Sequence, residues 1–321
     1  MPITVAAIIP TYNRVHCISE AVESVLSQSL LCDEIIVVDD GSTDRTPEVL
    51  APYSQRVRLI RQENRGVSAA RNTGVRAAKS EWVAFLDSDD LWYKDRIESL
   101  HRSIAKFPDV VLQAGDTMLQ TRGGSLLSHY AIKGASFTGV RRVDRPLVSV
   151  ALPLQIATPA VAVRASCFER CSFNEEMRFA EDQDLWLQLA MEGPWALCAA
   201  PASLARRLPE TTSKLSNLAV DKRAYALRCR CQMLARATRH PRLTSQEEAM
   251  LRKVLAGCLR SLSLVEAQGA FPSRLRLLRE SVTQGRSLRA AALACLWALF
   301  GKHIERRYES KAGYRRTSES S

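Results

Sequence analysis

Continuous apolar runs alternate with segments of helical periodicity along the first hundred residues of the chain. Four segments are predicted to be strands: residues 4–9, 34–38, 57–60 and 82–86. Of these, 34–38 and 82–86 are typical of buried strands, and the length of the run 82–86 indicates burial on both faces. The first run is expected to end at Pro10, and residues 91–107 are expected to form a single helix. This order of elements predicts an α/β fold in which a mostly parallel sheet is flanked by helices.

Three carboxylates follow the fourth strand directly, at Asp87, Asp89 and Asp90. In open α/β sheets, ligands bind at the carboxyl ends of the strands, so these side chains are candidate ligand-binding residues. Carboxylates that lie close together repel one another unless a cation lies between them, and oxygen ligands suit Mg²⁺ or Mn²⁺. The sequence therefore predicts a divalent-cation site that could hold a diphosphate. The alternative is that a strand-end aspartate caps the next helix.

Several other classes of protein are disfavoured by the motifs. No Gly-x-Gly-x-x-Gly follows the first strand, and no Gly-Lys-Ser/Thr loop occurs in the chain. A dinucleotide-cofactor enzyme and a P-loop NTPase are therefore not expected. Nucleic acid is not an expected partner either, because the arginines lack interleaved aromatic residues or a recognisable binding module.

A series of segments resembles the successive motifs of family 2 glycosyltransferases. In chain order, these segments are residues 9–14, 36–44, 64–66 with 70–72, 85–90, 172–175 and 180–187. The resemblance covers about residues 3–213 and implies the GT-A fold. It also implies an inverting enzyme that moves a sugar from a nucleoside-diphosphate sugar, with a UDP-sugar favoured, to a hydroxyl group. The acceptor would be a glycan or a lipid-linked molecule in cell-surface polysaccharide synthesis.

The resemblance implies a donor-binding role for individual residues. Pro10, Thr11 and Tyr12 would line the nucleotide base. Asp40 would hydrogen-bond the base or the ribose, and Arg71 would lie near the phosphates, which its planar guanidinium can bind through two nitrogens. The donor-binding set is completed by Asp87 and Ser88.

The resemblance also implies the residues that take part in the chemistry. Asp89, together with Asp87, would ligate Mn²⁺ or Mg²⁺. Such an ion stabilises the negative charge that develops on a departing nucleoside diphosphate. Asp182 would be the general base that takes the proton of the attacking hydroxyl, with Glu181 in a supporting role.

Each of these roles has an alternative that the residue pattern leaves open. Asp40 could cap the turn at Gly41, and Arg71 could pair with a neighbour on its own helix. Asp182 falls in the first turn of an expected helix, where an acidic side chain is favourable without any catalysis. The stretch 205–213 lacks the histidine that family members often have there, which leaves Arg206 or Arg207 as possible phosphate contacts.

The charge of the chain is divided unevenly. Residues 1–213 carry 23 Lys/Arg and 26 Asp/Glu, a net charge of −3, whereas residues 214–321 carry 22 and 8, a net charge of +14. This break predicts a catalytic domain at 1–213, with a nucleotide-sugar half (about 1–110) and an acceptor half (about 111–213). A basic helical region would follow at 214–321.

An unbroken apolar run lies at residues 290–300 and is too short to span a bilayer, which takes about 20 residues. Basic residues flank it, so residues 286–307 are expected to lie on an anionic membrane surface, unless the run packs against the catalytic domain. The nine cysteines include no Cys-x-x-Cys pair, which favours free thiols in a reducing cytoplasm. We therefore expect a cytoplasmic, membrane-peripheral enzyme. The rival functions are a nucleotidyltransferase on a similar scaffold and a catalytically silent adaptor that binds a sugar nucleotide.

Overall fold

A computed structural model describes residues 3–121, 123–154, 156–206 and 220–265. The chain divides into two compact units, Met1–Asn217 and Leu218–Ser321. The domain boundary expected at 213 and the membrane segment expected at 286–307 lie outside the described residues.

The first unit contains ten strands and six α-helices among the described residues. The strands are β1 (Val5–Thr11), β2 (Glu34–Asp39), β3 (Arg58–Arg61), β4 (Trp82–Phe85), β5 (Leu91–Trp92), β6 (Leu112–Gln120), β7 (Leu126–Ser128), β8 (Val140–Val143), β9 (Val161–Arg164) and β10 (Trp195–Ala205). The helices are α1 (Ile18–Leu26), α2 (Thr46–Leu50), α3 (Val67–Ala77), α4 (Arg96–Lys106), α5 (His129–Ile132) and α6 (Glu181–Leu189). Short 3₁₀ or π turns lie at Ala51–Tyr53, Leu147–Ala151, Thr158–Ala160 and Ala165–Glu169.

All ten strands belong to one sheet, whose main path runs β3-β2-β1-β4-β9-β6-β10-β5. The first four strands pair in parallel, which confirms the predicted parallel α/β arrangement in this half. Beyond β4 the sheet is mixed: β9 is antiparallel to β4 and β6, whereas β6 and β10 are parallel. The carboxyl ends of β1, β2 and β4 therefore lie at one edge of the sheet, where ligands bind in such folds.

Close packing of α3 on the sheet follows from small residues. Ala69 and Ala70 are fully buried, and a Cβ on Gly74 would lie 2.5 Å from Cγ2 of Ile8 in β1. A larger residue at position 74 would push the helix away from the strand. The short distance between helix and strand matters because α3 carries Arg71 and Asn72 towards the same sheet edge.

The expectation that Pro10 ends the first strand is wrong, because β1 continues to Thr11. The carbonyl of Ile8 accepts from Leu86 on the β4 side, and the carbonyl of Thr11 accepts from Asp40 on the β2 side. Pro10 therefore shares the β4-facing side with Ile8, at a point where the pairing with β4 has already ended. Its missing N–H costs no hydrogen bond of the sheet.

The expectation of a single helix over residues 91–107 is also wrong in its first part. Leu91 and Trp92 form β5, which pairs with β10, and α4 begins only at Arg96. Four residues of this segment were predicted to face the sheet. Ile97, Leu100 and Ile104 are buried, whereas Phe107 follows the end of α4 and is partly buried. The pairing of β5 with β10 brings the end of β10 next to the carboxylates that precede β5.

The second unit has two described helices, α7 (Val220–Ala237) and α8 (Ser245–Val265), which pack on each other. The contact buries residues such as Met233 and Leu234 of α7 with Leu251 and Leu255 of α8. These helices confirm the predicted helical C-terminal extension over the residues described. Among the helices described, none combines the length and the apolar character needed to cross a membrane. Every described cysteine is free.

Candidate functional site

The loop after β1 presents Tyr12 at the carboxyl edge of the sheet. Pro10 and Thr11 are buried, and the Thr11 hydroxyl has no hydrogen-bond partner, whereas Tyr12 is 41% exposed. Asn13 holds the loop, since its backbone N–H donates to Ser42 Oγ at 2.9 Å from a left-handed conformation (φ 52°) that asparagine tolerates. The exposed aromatic ring of Tyr12 could stack on a planar ligand such as a nucleotide base.

Asp40 fixes the loop that joins β3 to α3. Its Oδ1 accepts from Gln62 Nε2 at 2.7 Å and from the Arg65 N–H at 3.0 Å, and its Oδ2 accepts from the Gly66 N–H at 2.7 Å. The carboxylate is therefore engaged through both oxygens while only 3% of the residue is exposed. The turn that follows is capped by the neighbouring Asp39 and not by Asp40. The structure places Asp40 beneath the donor-side loop, and its contact with the base or ribose stays a prediction.

Asn72 joins the donor half to the acceptor half through three hydrogen bonds. Its Nδ2 donates to the Phe173 carbonyl at 2.9 Å and to Glu175 Oε1 at 3.0 Å, and its Oδ1 accepts from the Phe173 N–H at 3.1 Å. Glu175 also forms an ion pair with Arg65 at 2.5 Å. No role was predicted for Asn72, Glu175 or Arg65, although all three lie in segments that resemble family motifs.

Arg71 lies at the centre of the site and is only 4% exposed. Its Nη2 is 2.7 Å from Asp87 Oδ1 and its Nη1 is 3.0 Å from Glu181 Oε1, while its guanidinium lies 5.1 Å from the centre of the Phe173 ring. Burial alone would lower the pKa of Arg71, but the carboxylates of Asp87 and Glu181 outweigh burial and raise it above its usual value. Arg71 thus pairs with Asp87, which follows β4, and with Glu181 of α6, and not with a neighbour on α3.

Asp182 occupies the first turn of α6, directly after Ala180 and Glu181. Ala180 adopts a left-handed conformation (φ 59°), which is uncommon for alanine and occurs preferentially at functional sites. Burial, followed by repulsion from Glu181, raises the pKa of Asp182 to about 7, and the positive charge of Arg71 opposes this rise. The side chain is only partly buried, so it can be reached from solvent. A carboxyl group with such a pKa can accept a proton near neutral pH.

The carboxylates after β4 differ in their surroundings. Asp90 is 5% exposed and its Oδ1 accepts from the Arg206 N–H at 3.0 Å. Arg206 also donates from Nε to the Asp89 carbonyl oxygen at 2.8 Å and forms an ion pair with Glu20. Arg206 therefore holds the loop from beneath. Arg207, the other arginine considered for a phosphate contact, lies outside the described residues.

The carboxylates of this loop could supply one or two ligands to a metal ion whose other ligands come from the substrate and water. Among the residues that the structure describes, no group of three His, Cys, Asp or Glu side chains could hold a metal ion. Mg²⁺ is usually held by one or two carboxylates together with substrate phosphates and water, and not by a cage made only of protein. Asp89 and Asp87, both partly exposed, are the carboxylates able to take that part, with Ser88 buried between them.

Residues 6–137 match the family model described as glycosyl transferase family 2. An uncharacterized glycosyltransferase of Rickettsia felis is 34% identical over 188 residues, which are 58% of this chain and 30% of that protein. The uncharacterized glycosyltransferase EpsJ of Bacillus subtilis is 31% identical over 193 residues, 56% of this chain and 53% of EpsJ. The matched region thus spans between about a third and a half of these two relatives.

The fold is similar to that of S. aureus TarS. The crystal structure of TarS 1–349 in complex with UDP-GlcNAc has a TM-score of 0.70 and 21% sequence identity, covering 98% of this chain and 92% of that chain. The predicted GT-A fold is thereby confirmed. The predicted resemblance to family 2 glycosyltransferases is confirmed over residues 6–137, where the family model matches, and the named relatives and this shared fold agree with it.

Proposed function

We propose that this domain transfers a sugar, with inversion, from a nucleoside-diphosphate sugar to a hydroxyl group, and that Asp182 is the general base. The observation that carries the proposal is the position of Arg71. It pairs at 2.7 Å with Asp87 on the donor side and at 3.0 Å with Glu181, next to Asp182, on the acceptor side. Donor-side and acceptor-side groups therefore meet around one buried cation.

The proposed reaction is a single displacement at the anomeric carbon. The acceptor oxygen forms a bond to this carbon while the bond to the diphosphate oxygen breaks, so the configuration inverts. The proton of the acceptor hydroxyl passes to Asp182, whose pKa of about 7 leaves a large fraction deprotonated at neutral pH. General-base catalysis of this kind contributes about 10²–10⁴-fold to the rate.

A UDP-sugar is the donor that we favour. Tyr12 offers an exposed ring at the edge where β1 and β2 end. The similar TarS structures were solved in complex with UDP-GlcNAc and with UDP, which supports the same class of ligand here. Asp89 and Asp87 would hold Mn²⁺ or Mg²⁺ beside the diphosphate, where the ion would stabilise the charge of the leaving group.

The acceptor that we propose is a glycan or a lipid-linked molecule of cell-surface polysaccharide synthesis. The basic composition of residues 214–321, with a net charge of +14, supports a place at an anionic membrane surface on the cytoplasmic side.

The experiment that tests the function is a donor screen with the full-length chain. The protein is incubated with a panel of nucleotide sugars and Mn²⁺, and the release of nucleoside diphosphate is measured. We expect release from one donor class, and its loss with excess EDTA or in Asp89→Ala. Asp109→Ala is the matched control, because Asp109 precedes β6 at the opposite edge of the sheet.

Three results would count against the proposal or a part of it. Donor binding without any release of nucleoside diphosphate in the presence of acceptor extracts would favour the catalytically silent adaptor. Full activity in excess EDTA would show that the reaction needs no divalent ion. Release of inorganic pyrophosphate from a nucleoside triphosphate would favour a nucleotidyltransferase.

A further inference from the structure

An exposed apolar surface lies on the acceptor half, on the hairpin formed by the end of β6, β7 and the short helix α5. Leu126, Leu127 and Ile132 are 45%, 46% and 54% exposed. Among the described residues, eight large hydrophobic side chains are 38% exposed or more, and three of them fall within these seven consecutive positions. Scattered apolar side chains need no explanation, but such a cluster indicates an interaction surface. We call residues 118–121 and 123–132 the apolar hairpin.

Hydrogen bonds to buried groups fix the backbone of the hairpin that carries these exposed side chains. Asp116 in β6 accepts from Ser128 Oγ at 2.5 Å and from the Tyr130 N–H at 3.0 Å. Tyr130 is 4% exposed, and its hydroxyl donates to the Ala114 carbonyl at 3.3 Å. Ser128 also caps α5 by accepting from the Ala131 N–H at 3.0 Å. The polar groups of Ser128 and Tyr130 thus form hydrogen bonds with β6, while Leu126 and Leu127 remain at the surface.

The apolar hairpin extends from the same sheet edge as the candidate site. Met118 in β6 pairs with Leu204 in β10, and Leu119 pairs with Ala205. The next residue of that chain segment, Arg206, donates to Asp90 and to the Asp89 carbonyl. One strand therefore separates the base of the hairpin from the proposed metal-binding loop.

The chain segment that follows Asp116 and forms the hairpin carries no acidic side chain. Residues 117–139 contain no Asp or Glu, although 34 of the 321 residues in the chain are acidic, roughly one in nine. The same stretch contains Arg122, His129 and Lys133. Exposed leucine and isoleucine side chains in a stretch that contains basic but no acidic residues are complementary to an anionic lipid surface, where apolar groups insert and cations meet phosphate.

We propose that the apolar hairpin docks on the surface of an anionic phospholipid bilayer by inserting Leu126, Leu127 and Ile132. The hairpin extends from the edge of the site, so docking there brings the site to the level of the lipid headgroups. If the proposed function holds, the acceptor is then a lipid-linked glycan whose hydroxyl reaches Asp182 at the membrane surface. The docking itself does not depend on the reaction.

The test places a reporter on the hairpin of the full-length chain. Leu126→Trp is compared with Leu31→Trp, because Leu31 is 62% exposed and precedes β2 at the opposite edge of the sheet. Each variant is mixed with vesicles of phosphatidylcholine alone or with added phosphatidylglycerol, and its fluorescence is compared with that of the wild type. We expect a blue shift and quenching by bromine-labelled lipid for Leu126→Trp with the anionic vesicles only, and no change for Leu31→Trp.

A second variant measures what the insertion contributes to binding. Leu126→Asp/Leu127→Asp should bind anionic vesicles at least about tenfold more weakly than the wild type at high salt, where attraction between exposed charges is screened. Leu31→Asp should bind as the wild type does. Release of nucleoside diphosphate to a soluble acceptor or to water should be unchanged in both, which separates a failure of docking from a failure of the proposed reaction.

Three outcomes would overturn the proposal. The indole introduced by Leu126→Trp could stay exposed to water while the protein binds vesicles through its basic C-terminal region. The double variant could bind as tightly as the wild type. The wild type could sediment as a dimer that the double variant dissociates, with no effect on vesicle binding, which would make a second copy of the chain the occupant of this surface.

Discussion

Arg71 and Arg96 are both buried in the first unit, yet their surroundings are opposite. Arg71 forms ion pairs with Asp87 and Glu181. Arg96 is fully buried and donates to Gln113 Oε1 at 2.8 Å and to the Ala160 carbonyl at 3.1 Å, and no described carboxylate forms an ion pair with it. Burial lowers the pKa of Arg96 to about 10, whereas the carboxylates around Arg71 raise the pKa of that residue.

The comparison shows that burial of an arginine does not by itself mark a functional site. Arg96 ties α4 to β6 and to the segment before β9 through neutral acceptors, and its guanidinium lies 5.9 Å from the Trp92 ring. This is a structural contact in the core of the sheet. Arg71 forms ion pairs with carboxylates of two segments that are distant in sequence, at the edge where strands end. One of these segments also carries Asp182, whose pKa is about 7.

The largest effect is expected for Arg71→Met, which removes the cation and leaves Asp87 and Glu181 facing each other. Breaking a buried ion pair by removing one partner costs about 3–5 kcal/mol, so the free energy of unfolding should fall by about this amount. Turnover should fall by about 10²-fold or more, because Asp87 and Glu181 would no longer be held in position by Arg71. Denaturant unfolding and release of nucleoside diphosphate measure the two effects. Arg71→Lys should recover part of the stability but little turnover, since an ammonium cannot bridge both carboxylates with the same geometry.

Arg71→Met would contradict the account if it unfolded at the wild-type denaturant concentration and kept turnover within a factor of about two. The ion pairs would then be incidental to the site.

A smaller effect is expected for Glu181→Gln, and it concerns pH. As a base, Asp182 is active when deprotonated, so kcat/KM should rise as the pH passes the pKa of about 7. Glu181 repels the charged form of Asp182 and raises its pKa. Removing that charge should lower the pKa and move the acidic limb of the pH profile to lower pH. Glu176→Gln is the matched control on an exposed glutamate and should leave the profile in place. A shift in the opposite direction would mean that Glu181 does not act on Asp182 through charge.

The smallest effect is expected for Arg96→Met. The substitution leaves Gln113 and the Ala160 carbonyl without a donor, which is unfavourable by about 1–3 kcal/mol for each group. It also removes a buried charge that lacks a carboxylate partner, which is favourable. The net change in the free energy of unfolding should stay within about 2 kcal/mol, with turnover per folded molecule unchanged. A loss of turnover as large as that of Arg71→Met would erase the contrast between the two arginines.

The strands and the edge of the site could be predicted because their signals are local. The apolar run 82–86 and the carboxylates after it are adjacent in sequence, so a buried strand had to deliver Asp87 and Asp89 to its carboxyl end. The same holds for the helices, whose buried faces follow from spacing alone, as at Ile97 and Leu100. The mixed pairing beyond β4 could not be predicted, since it depends on contacts between strands far apart in the chain.

The partners of the site residues could not be predicted for the same reason. Asn72 and Glu175 are 103 positions apart, and Arg71 and Glu181 are 110 apart. Asp40 carries the type and position expected of a ligand-binding residue, yet its carboxylate holds the loop before α3. A sequence motif indicates that such a residue is needed at the site, but only the fold shows which group its side chain contacts.

The most direct test of the account is the turnover of Asp182→Asn set against its affinity for the donor. Asparagine has nearly the shape of aspartate but cannot accept the acceptor's proton at neutral pH. We expect kcat to fall by about 10²-fold or more while donor affinity, measured by calorimetry, stays close to that of the wild type. Turnover within a factor of about two of the wild type, or a collapse of donor affinity, would show that Asp182 is structural.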